Sequence, residues 1–315
     1  MNVIVEREKG LLELEQRIAE LKAQAAQQPV DMSGVIAQLE QKYAEIQREI
    51  FGTMTPWQRV NMARHPKRPI GSEYIAALDQ FDELHGDRHF RDDHAIVGGF
   101  AKLRGRRVVA IAQDKGRDTK EKVYRNFGMP SPEGYRKVNR LVRLAAHLRL
   151  PVVTFIDTSG ADPGIGSEER AQGEAIAQSL YELADARTPV VATIIGEGGS
   201  GGALALALAD RVLMLEHSVY SVASPEGAAA ILWGDAARAE EAASRLRLTS
   251  DDLLAFGIID EIVTEPIGGA HRDPGGTIAR VLDAVVSALD VLEHVPADEL
   301  LQRRYAKFRR IGAPA

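Results

Sequence analysis

The sequence contains no cysteine, so it can form no disulfide bond, no cysteine-ligated zinc site and no thiol nucleophile. It also has no run of eighteen apolar residues, and its first ten residues are charged and unlike a signal peptide. We therefore expect neither a membrane span nor secretion, and a cytoplasmic location fits these absences. Hydrophobic residues make up 45% of the 315 residues, which is enough for a sizeable core.

The net charge of −6 disfavours general nucleic-acid binding, but it conceals a basic segment. Residues 102–149 contain fourteen Lys and Arg against four Asp and Glu, a net of +10 that leaves −16 for the rest of the chain. The density of basic residues is highest between Lys115 and Arg125. Such a segment is either a solvated face without a partner or a contact for a phosphate-bearing ligand.

Residues 1–52 are predicted to form a helical hairpin that serves as scaffold or interface. A turn is predicted over Pro29–Gly34, between two stretches in which apolar residues recur at spacings of three and four. These residues are Leu11, Leu14, Ile18, Leu21 and Ala25 in the first stretch and Ile36, Leu39, Tyr43, Ile46 and Ile50 in the second. Each apolar stripe is short, which favours a hairpin packed on the body or on a partner over a long coiled coil.

Residues 53–95 are predicted to be a polar connector that leads into a larger domain over residues 96–315. Within the connector, Asp82–His89 mixes acidic residues with histidines, a composition that metal sites also have. No pair of these residues has a recognised ligand spacing such as HExxH. We therefore predict a solvated loop here and no metal site in this chain.

From residue 96 onwards, predicted strands alternate with predicted helices. Strands over 95–103 and 107–112 flank a turn, and a helix is predicted over 132–149. Two later strands, 151–157 and 189–195, both begin with Pro-Val-Val and are separated by a predicted helix. This repeated strand-loop-helix unit, with continuous apolar strands, is typical of a parallel sheet that is covered on both faces.

Both repeats have a glycine-rich loop after the strand, over 157–166 and over 196–203. The second loop is followed by Ala203–Ala209, a stretch rich in helix formers. Glycine allows backbone N–H groups to approach a ligand closely, so two such loops predict an anion-binding edge of the core. The alternative is that these glycines serve tight turns alone.

The segment Gly198–Gly202 also matches the GxSxG pattern of hydrolases, in which Ser200 would be the nucleophile. That chemistry needs a base, and the sequence alone positions none of the candidate histidines, which are His217, His271 and His294. An acyl-CoA hydrolase that uses Ser200 is therefore one alternative function.

Several segments resemble a known family, the α subunits of bacterial acetyl-CoA carboxylase carboxyltransferase. Among them are KGRDTKEKVYRNFGMPSPEGY, which begins at Lys115, and SVASPEGAAAILW, which begins at Ser221. The others are Phe155–Asp157, Gly196–Ala203, Ala63–Pro66, Gly268–Arg272 and the helical N-terminus. The similarity covers nearly the whole chain in the family's order. It implies an α/β fold of the crotonase/ClpP-like type, a spiral of ββα units preceded by a helical hairpin.

The resemblance implies an enzyme of fatty-acid biosynthesis, a carboxyltransferase. In this family a carboxyl group moves from carboxybiotin on a carrier protein to acetyl-CoA, and malonyl-CoA is formed. The implied partners are a β subunit with a zinc ribbon in an α₂β₂ assembly, the biotin carboxyl carrier protein and an ATP-using biotin carboxylase. Without cysteine this chain cannot be the zinc-ribbon subunit. A non-catalytic paralogue that only binds such a partner is the second alternative.

The resemblance also implies roles for individual residues. Gly201 and Gly202 would be backbone oxyanion donors toward biotin, so that no side-chain nucleophile is needed. Further glycines predicted to bind biotin or substrate are Gly98, Gly99, Gly160, Gly198 and Gly199. Residues predicted to contact CoA phosphates or a partner are Lys115, Arg117, Lys120, Lys122 and Arg125, among which the arginines suit bidentate phosphate contacts best.

The chain departs from the family pattern in the first glycine-rich loop. The family commonly has Pro-Gly-Ala-Tyr-Pro-Gly where this chain has Ser159-Gly160-Ala161-Asp162-Pro163-Gly164. Asp162 adds a charge and removes an aromatic stacking surface. A decarboxylase or another acyl-CoA carboxylase could use the same fold, because the shape of the pocket decides the substrate.

Overall fold

The computed structural model describes residues 3–27 and 32–312, with side chains from Glu8 onwards. Its helices are α1 Val3–Gln27, α2 Ser33–Phe51, α3 Pro56–Ala63, α4 Gly71–Ala76, α5 Thr119–Tyr124, α6 Pro132–Leu148, α7 Ile165–Glu169, α8 Gln172–Ala184, α9 Ser200–Ala207, α10 Pro225–Trp233, α11 Ala239–Leu246, α12 Ser250–Ala255, α13 Pro274–Leu292 and α14 Ala297–Arg310. Its strands are β1 Gln80–Glu83, β2 Ile96–Leu103, β3 Arg106–Gln113, β4 Val152–Thr158, β5 Val190–Gly199, β6 Arg211–Leu215, β7 Val219–Ser221 and β8 Glu261–Val263.

The strands form one mixed sheet in the order β1-β2-β3-β4-β5-β6-β8, and β7 pairs with the end of β5. The β1-β2 and β2-β3 pairs are antiparallel, whereas every pair from β3 to β8 is parallel. The two repeated strands that begin with Pro-Val-Val are β4 and β5, and they pair with each other at the centre of the sheet. The α/β fold predicted from the sequence is confirmed.

Both faces of the sheet are buried, because side chains of the central strands alternate between two cores. In β4, Val152 and Ile156 pack into the core formed with α6, α8 and α9. Val153 and Phe155 of the same strand pack into the opposite core, formed with α4 and α13. The covered parallel sheet was predicted correctly, because continuous apolar strands of this kind can only be accommodated between two layers of helices.

The boundaries of the first hairpin of the sheet were also predicted closely. The strands over 95–103 and 107–112 are β2 and β3, and the turn at Arg104 and Gly105 has positive φ angles of 50° and 78°. The helix predicted over 132–149 is α6, which ends one residue earlier at Leu148. Arg149 follows in the left-handed conformation that commonly closes a helix.

The N-terminal helical hairpin is present as α1 and α2. The apolar residues that the periodicity singled out are buried or half-buried, with Leu11 and Ile18 buried in α1. Leu11 packs with Phe51 at the end of α2 and with Met62 of α3, so the hairpin rests on the body of the protein. The predicted turn over Pro29–Gly34 lies partly outside the described residues.

The segment 53–95, predicted as a polar connector, contains α3, α4 and β1, and the second half of α3 is buried. Asp82 and Glu83, which we assigned to a solvated loop, lie in β1 and pair with Phe100 and Gly99 of β2. The polar composition of this segment concealed a strand, because an edge strand needs few apolar side chains and often carries charged ones. We retain 1–52, 53–95 and 96–315 as a proposed division, with β1 added to the sheet of the third part.

Within the described part of the chain, no helix has both the length and the apolar character required to span a bilayer.

Helix α14 is anchored by Arg304, whose buried side chain reaches α8 and the segments that lead into β5 and β6. Its guanidinium donates two hydrogen bonds to the carboxylate of Asp210, at 2.9 and 2.6 Å. It donates three more to the carbonyl oxygens of Leu183, Ala186 and Thr188. A buried cation must be paired in this way, because the interior offers no water to solvate it.

We expect Arg304→Ala to lower the free energy of unfolding by about 3–5 kcal/mol, because it leaves the carboxylate of Asp210 buried without its partner. The matched control is Arg303→Ala on the same helix, whose exposed pair with Glu299 should be worth less than about 1 kcal/mol. Urea unfolding of the purified chain measures both. Equal unfolding midpoints for the two variants would show that Arg304 does not anchor α14.

Candidate active site

The glycine-rich segment after Ile195 is not a loop, as the sequence suggested, but the end of a strand and the start of a helix. Gly196–Gly199 continue β5, and α9 begins directly at Ser200, three residues before the predicted start. Gly198 pairs with Thr158 of β4 on one side and Tyr220 of β7 on the other. Pairing on both sides holds these glycines extended, although their intrinsic strand preference is low.

The absence of side chains in this segment lets two chain segments approach backbone to backbone. A Cβ built on Gly199 would lie 2.1 Å from the carbonyl oxygen of Ser159. One built on Gly202 would lie 2.6 Å from the carbonyl carbon of Gly160 and from the nitrogen of Ala161. The prediction that the two glycine-rich segments meet at one edge of the core is therefore confirmed. Gly160, Gly198, Gly199 and Gly202 are brought together there.

The first turn of α9 presents backbone donors at this edge. Gly201 and Gly202 are the second and third residues of α9, so their N–H groups lie in the first turn, where a helix supplies no acceptor four residues back. The residue before them, Ser200, has a φ of +53°, an uncommon conformation for a residue with a side chain. Such a backbone can bind a negative charge through N–H groups and the positive end of the helix dipole.

A cavity of about 530 Å³ opens beside these donors. Ser200 and Gly201 line one part of it, and its remaining wall is mostly apolar. The apolar residues come from α9, β6, α11, α12 and α14 and include Leu204, Val212, Leu246, Leu253, Phe256 and Phe308. A pocket of this size, with a few polar groups at one end, suits a small organic ligand.

A cluster of paired charges, in which Asp157 and Glu197 are buried, lies behind the glycines. Lys115 Nζ is 2.6 Å from Asp157 Oδ1 and 3.3 Å from Glu197 Oε2. On the other side, Arg64 contacts Glu197 and Glu226, each at 2.6 Å. Glu197 thus joins β5 to α3, α10 and the segment that follows β3. Its neighbours on the chain are the glycines of the site, so this cluster fixes the strand that carries them.

The electrostatics of the cluster keep Glu197 ionised. Burial opposes its ionisation, but the charges of Lys115 and Arg64 outweigh burial and lower the pKa of Glu197 below its ordinary value of 4.5. Burial likewise opposes the charged form of Lys115, but Asp157 and Glu197 outweigh it and raise the pKa of Lys115. Both groups are therefore charged at neutral pH.

Our sequence reasoning missed Arg64, Asp157, Glu197 and Glu226. Glu197 stands inside the glycine run, where one acidic residue among glycines is a signal that could have been used. Arg64 and Glu226 lie in segments that carried the family resemblance, but their contacts join residues more than a hundred positions apart in the chain. No local pattern reveals such a pair.

The predicted basic residues divide into two groups. Like Lys115, the two arginines have partners within the protein. Arg117 contacts Glu73 at 2.6 Å, and Arg125 donates to the carbonyl oxygen of His94 at 2.8 Å. The preference for these arginines as phosphate contacts is thus not supported by their geometry. Lys120 and Lys122 of α5 have no ion pair or hydrogen bond among the described side chains.

Gly98 and Gly99 are not part of the glycine cluster. They lie in β2, and two strands, β3 and β4, separate them from β5 in the sheet. A Cβ on Gly98 would lie 2.6 Å from Leu141 Cδ1, and one on Gly99 would lie 2.0 Å from the carbonyl oxygen of Asp82. Close packing accounts for both glycines, and we no longer assign them a ligand.

Asp162, where the family commonly has an aromatic residue, organises its own loop. Its Oδ2 accepts a hydrogen bond from the hydroxyl of Ser167 at 2.6 Å, and its Oδ1 accepts one from the N–H of Gly164 at 3.2 Å. Asp162 therefore joins the loop to the short helix α7. The substitution replaces a stacking surface by an internal hydrogen-bond network.

The family model described as "Acetyl co-enzyme A carboxylase carboxyltransferase-like" matches residues 4–312. A curated relative from Geobacter metallireducens, named acetyl-coenzyme A carboxylase carboxyl transferase subunit alpha, is 52% identical over 98% of this chain and 97% of its own length. A relative of the same name from Heliobacterium modesticaldum is 53% identical over 97% of this chain and 91% of its own.

Two solved structures resemble the fold at low sequence identity. Transcarboxylase 12S, with methylmalonyl-coenzyme A and methylmalonic acid bound, superposes with a TM-score of 0.57 at 20% identity and covers 70% of this chain and 41% of that chain. A Pseudomonas malonate decarboxylase hetero-tetramer in complex with coenzyme A superposes with a TM-score of 0.56 at 19% identity. The match covers 69% of this chain and 89% of that chain. Identities this low support the fold alone.

We expect Lys115→Met to lower the free energy of unfolding of the isolated chain by about 2–4 kcal/mol, because Asp157 then remains buried without its cation and Glu197 keeps only Arg64. The comparison is made at pH 7, since the contribution of Glu197 is present above 4.5, its unfolded pKa, and is lost as pH falls through its lower folded pKa. Lys120→Met is the control and should change stability by less than about 0.5 kcal/mol. A Lys115 variant as stable as the control would show that its ion pairs with Asp157 and Glu197 do not stabilise the fold.

Proposed function

This chain belongs to the acetyl-CoA carboxylase carboxyltransferase family and is an α subunit of that enzyme, and from this we propose how its site contributes to carboxyl transfer. The proposed reaction moves a carboxyl group from carboxybiotin on a carrier protein to acetyl-CoA and gives malonyl-CoA. The observation that supports the α subunit's part is the position of the Gly201 and Gly202 N–H groups in the first turn of α9. Gly201 lines a mostly apolar cavity, and Gly202 follows it directly.

These two N–H groups are proposed as an oxyanion hole for the ureido oxygen of biotin. Negative charge develops on that oxygen as the carboxyl group leaves, and fixed backbone donors stabilise such charge without having to reorganise. Removing one donor from an oxyanion hole typically slows an enzyme by about 10²–10³. The backbone of Gly160 and Ala161, packed against Gly202, holds the donors in position.

Carboxybiotin supplies the carboxyl group when it is bound, and its ureido nitrogen can accept the proton of the acetyl group. The chain itself therefore needs no general base. Its apolar cavity would exclude water, which strengthens every interaction with the developing charge. The remaining half of the site, including most contacts to the CoA moiety, would come from the β subunit.

The alternative of a Ser200 hydrolase finds no support in the geometry. Ser200 is exposed at the start of α9, and none of the described histidines makes a hydrogen bond with its hydroxyl group. His271 is held by Glu8 at 2.8 Å. Without a base to take its proton, a serine hydroxyl is a weak nucleophile.

An α subunit functions with a β subunit. We propose that this β subunit carries a zinc ribbon, that the assembly is α₂β₂, and that it works with a biotin carboxyl carrier protein and an ATP-using biotin carboxylase in the cytoplasm. Reconstitution with purified β subunit tests the function directly, with malonyl-CoA formation as the readout. An α/β complex that assembles but forms no malonyl-CoA would favour the non-catalytic paralogue.

Lys120 and Lys122 are proposed as this chain's own contacts for CoA phosphates. Lys122 lines a second cavity, of about 250 Å³, together with Phe127, Ser159 and Glu197. This cavity adjoins the strand that carries the glycines. Neither lysine has an ion pair or a side-chain hydrogen bond within the described part of the chain, so neither has to leave an internal partner to bind an anion.

Alanine at Gly202 and at Gly201 should have very different effects on transfer. We expect Gly202→Ala to lower kcat by at least about a hundredfold, because its Cβ displaces Gly160 and Ala161 from the donors. Gly201→Ala is the matched control: its Cβ would lie 3.6 Å from Ile176 Cγ2, an ordinary contact, and the N–H is kept. We expect it to lose less than about tenfold. Near-native kcat in Gly202→Ala, measured in the reconstituted complex, would contradict the oxyanion role.

Charge reversal of the free lysines separates a ligand contact from a partner contact. In the double variant Lys120→Glu and Lys122→Glu we expect the KM for acetyl-CoA to rise about tenfold or more, with kcat changed little, because phosphates are then repelled. Steady-state kinetics and α/β association are measured in parallel. An unchanged KM with weakened association would place these lysines on a subunit interface instead.

A further inference from the structure

A buried carboxylate on the N-terminal helix contacts two histidines from distant parts of the chain. Glu8 of α1 lies with one oxygen 2.8 Å from Nε2 of His271 and the other 3.3 Å from Nε2 of His65. All three side chains are almost fully buried. The two imidazole rings stack with their centroids 3.6 Å apart and their planes inclined by 22°. We name these three residues the hairpin clasp.

The hydrogen bonds of the clasp are consistent with two neutral imidazoles that donate to one carboxylate. Nδ1 of His65 accepts the N–H of Lys67 at 3.2 Å, which places the ring proton on Nε2, facing Glu8. Nδ1 of His271 has no partner in the described structure, and burial lowers the pKa of this histidine. Burial opposes ionisation of Glu8, but the histidines outweigh it and lower its pKa to about 2.

Two histidines and a carboxylate are also a ligand set for a transition metal, but the geometry of the clasp does not suit one. A metal ion bound at about 2.1 Å requires the lone pairs of both Nε2 atoms to converge on one point. Each lone pair lies in the plane of its ring, and stacked rings inclined by only 22° have planes that do not meet close to the Nε2 atoms. The two oxygens of one carboxylate match that arrangement.

Each histidine of the clasp is adjacent to a group that holds the end of β5. His65 follows Arg64, which contacts Glu197. His271 follows Ala270, whose N–H donates to Glu265 at 2.7 Å.

The second of these connections continues through Arg68. Glu265 forms a buried ion pair with Arg68, and Arg68 Nε donates to the carbonyl oxygen of Ile195 at 2.7 Å. Both connections thus end within β5 residues 195–197, directly before the glycines of the site.

We propose that Glu8 is a positioning residue for carboxyl transfer: by clasping His65 and His271, the N-terminal hairpin fixes β5 at residues 195–197 and hence the backbone donors of Gly201 and Gly202. The proposal rests on the oxyanion role given above. It gives the hairpin a part in the chemistry although none of its residues touches the substrate. Misplacing such donors by about 1 Å can slow a reaction by about a hundredfold.

The test compares three variants in the reconstituted α/β complex. Glu8→Ala removes the clasp, and we expect kcat to fall about tenfold or more with the KM for acetyl-CoA within about twofold. Hydrogen exchange of the amides of residues 195–202 should become faster. Glu8→Gln should restore most of the activity, because His271 can move its proton to the free Nδ1 and accept from the amide group. Glu15→Ala is the control, since it removes an exposed contact between the same helix and Arg272.

Exchange that rises only in the hairpin, with kcat equal to that of Glu15→Ala, would overturn the proposal. So would a stoichiometric metal ion that elemental analysis finds in the native protein and not in Glu8→Gln. If Glu8→Ala does not fold, His271→Ala tests the same contact from the opposite side. Exchange at residues 195–202 needs no activity, so it tests the coupling even if the native complex fails to transfer a carboxyl group.

Discussion

The close approach of two backbone segments is the constraint on which the rest of this site depends. Gly199 and Gly202 bring the end of β5 and the start of α9 against Ser159, Gly160 and Ala161, at distances that leave no room for a Cβ. Because the approach is made by backbone on both sides, the donors at the helix start are held by main-chain packing rather than by side chains. A rigid cradle of this kind suits charge stabilisation, which gains from donors already in place.

Paired charges then hold the end of β5 and the start of α9 against the body of the protein. Glu197 stands between Lys115 and Arg64, and Arg68 holds Ile195 two residues earlier. Ion pairs in the interior are weak sources of net stability, because desolvation offsets much of their attraction. Separating the paired charges would nevertheless cost free energy, so the ion pairs favour one position for the end of β5. The hairpin clasp holds α1 in place in the same way, through the contacts of Glu8 with His65 and His271.

The fold was more predictable from the sequence than the site. Strands such as Val152–Thr158 were evident because both of their faces are apolar, whereas β1 was missed because it is a polar edge strand. Gly202, chosen as a catalytic residue, lies at the shared edge against Gly160 and Ala161. Gly98 was grouped with it only because both are glycines, and one tight contact with Leu141 accounts for Gly98. A glycine in a sequence does not show whether its missing side chain makes room for a ligand or for a neighbour.

The sequence by itself determined the helical hairpin, the repeated strand-loop-helix unit and the family, because these depend on local periodicity and on residues that follow one another along the chain. The tertiary structure decided which charges are already paired. Lys115 and Glu197 are 82 positions apart, and Glu8 and His271 are 263 apart, yet each pair is in contact. A basic residue looks the same in a sequence whether it faces solvent or a buried carboxylate. Only the packing of the segment after β3 against β4 and β5 distinguishes Lys115, which is paired with Asp157 and Glu197, from Lys122, which has no ion pair among the described residues.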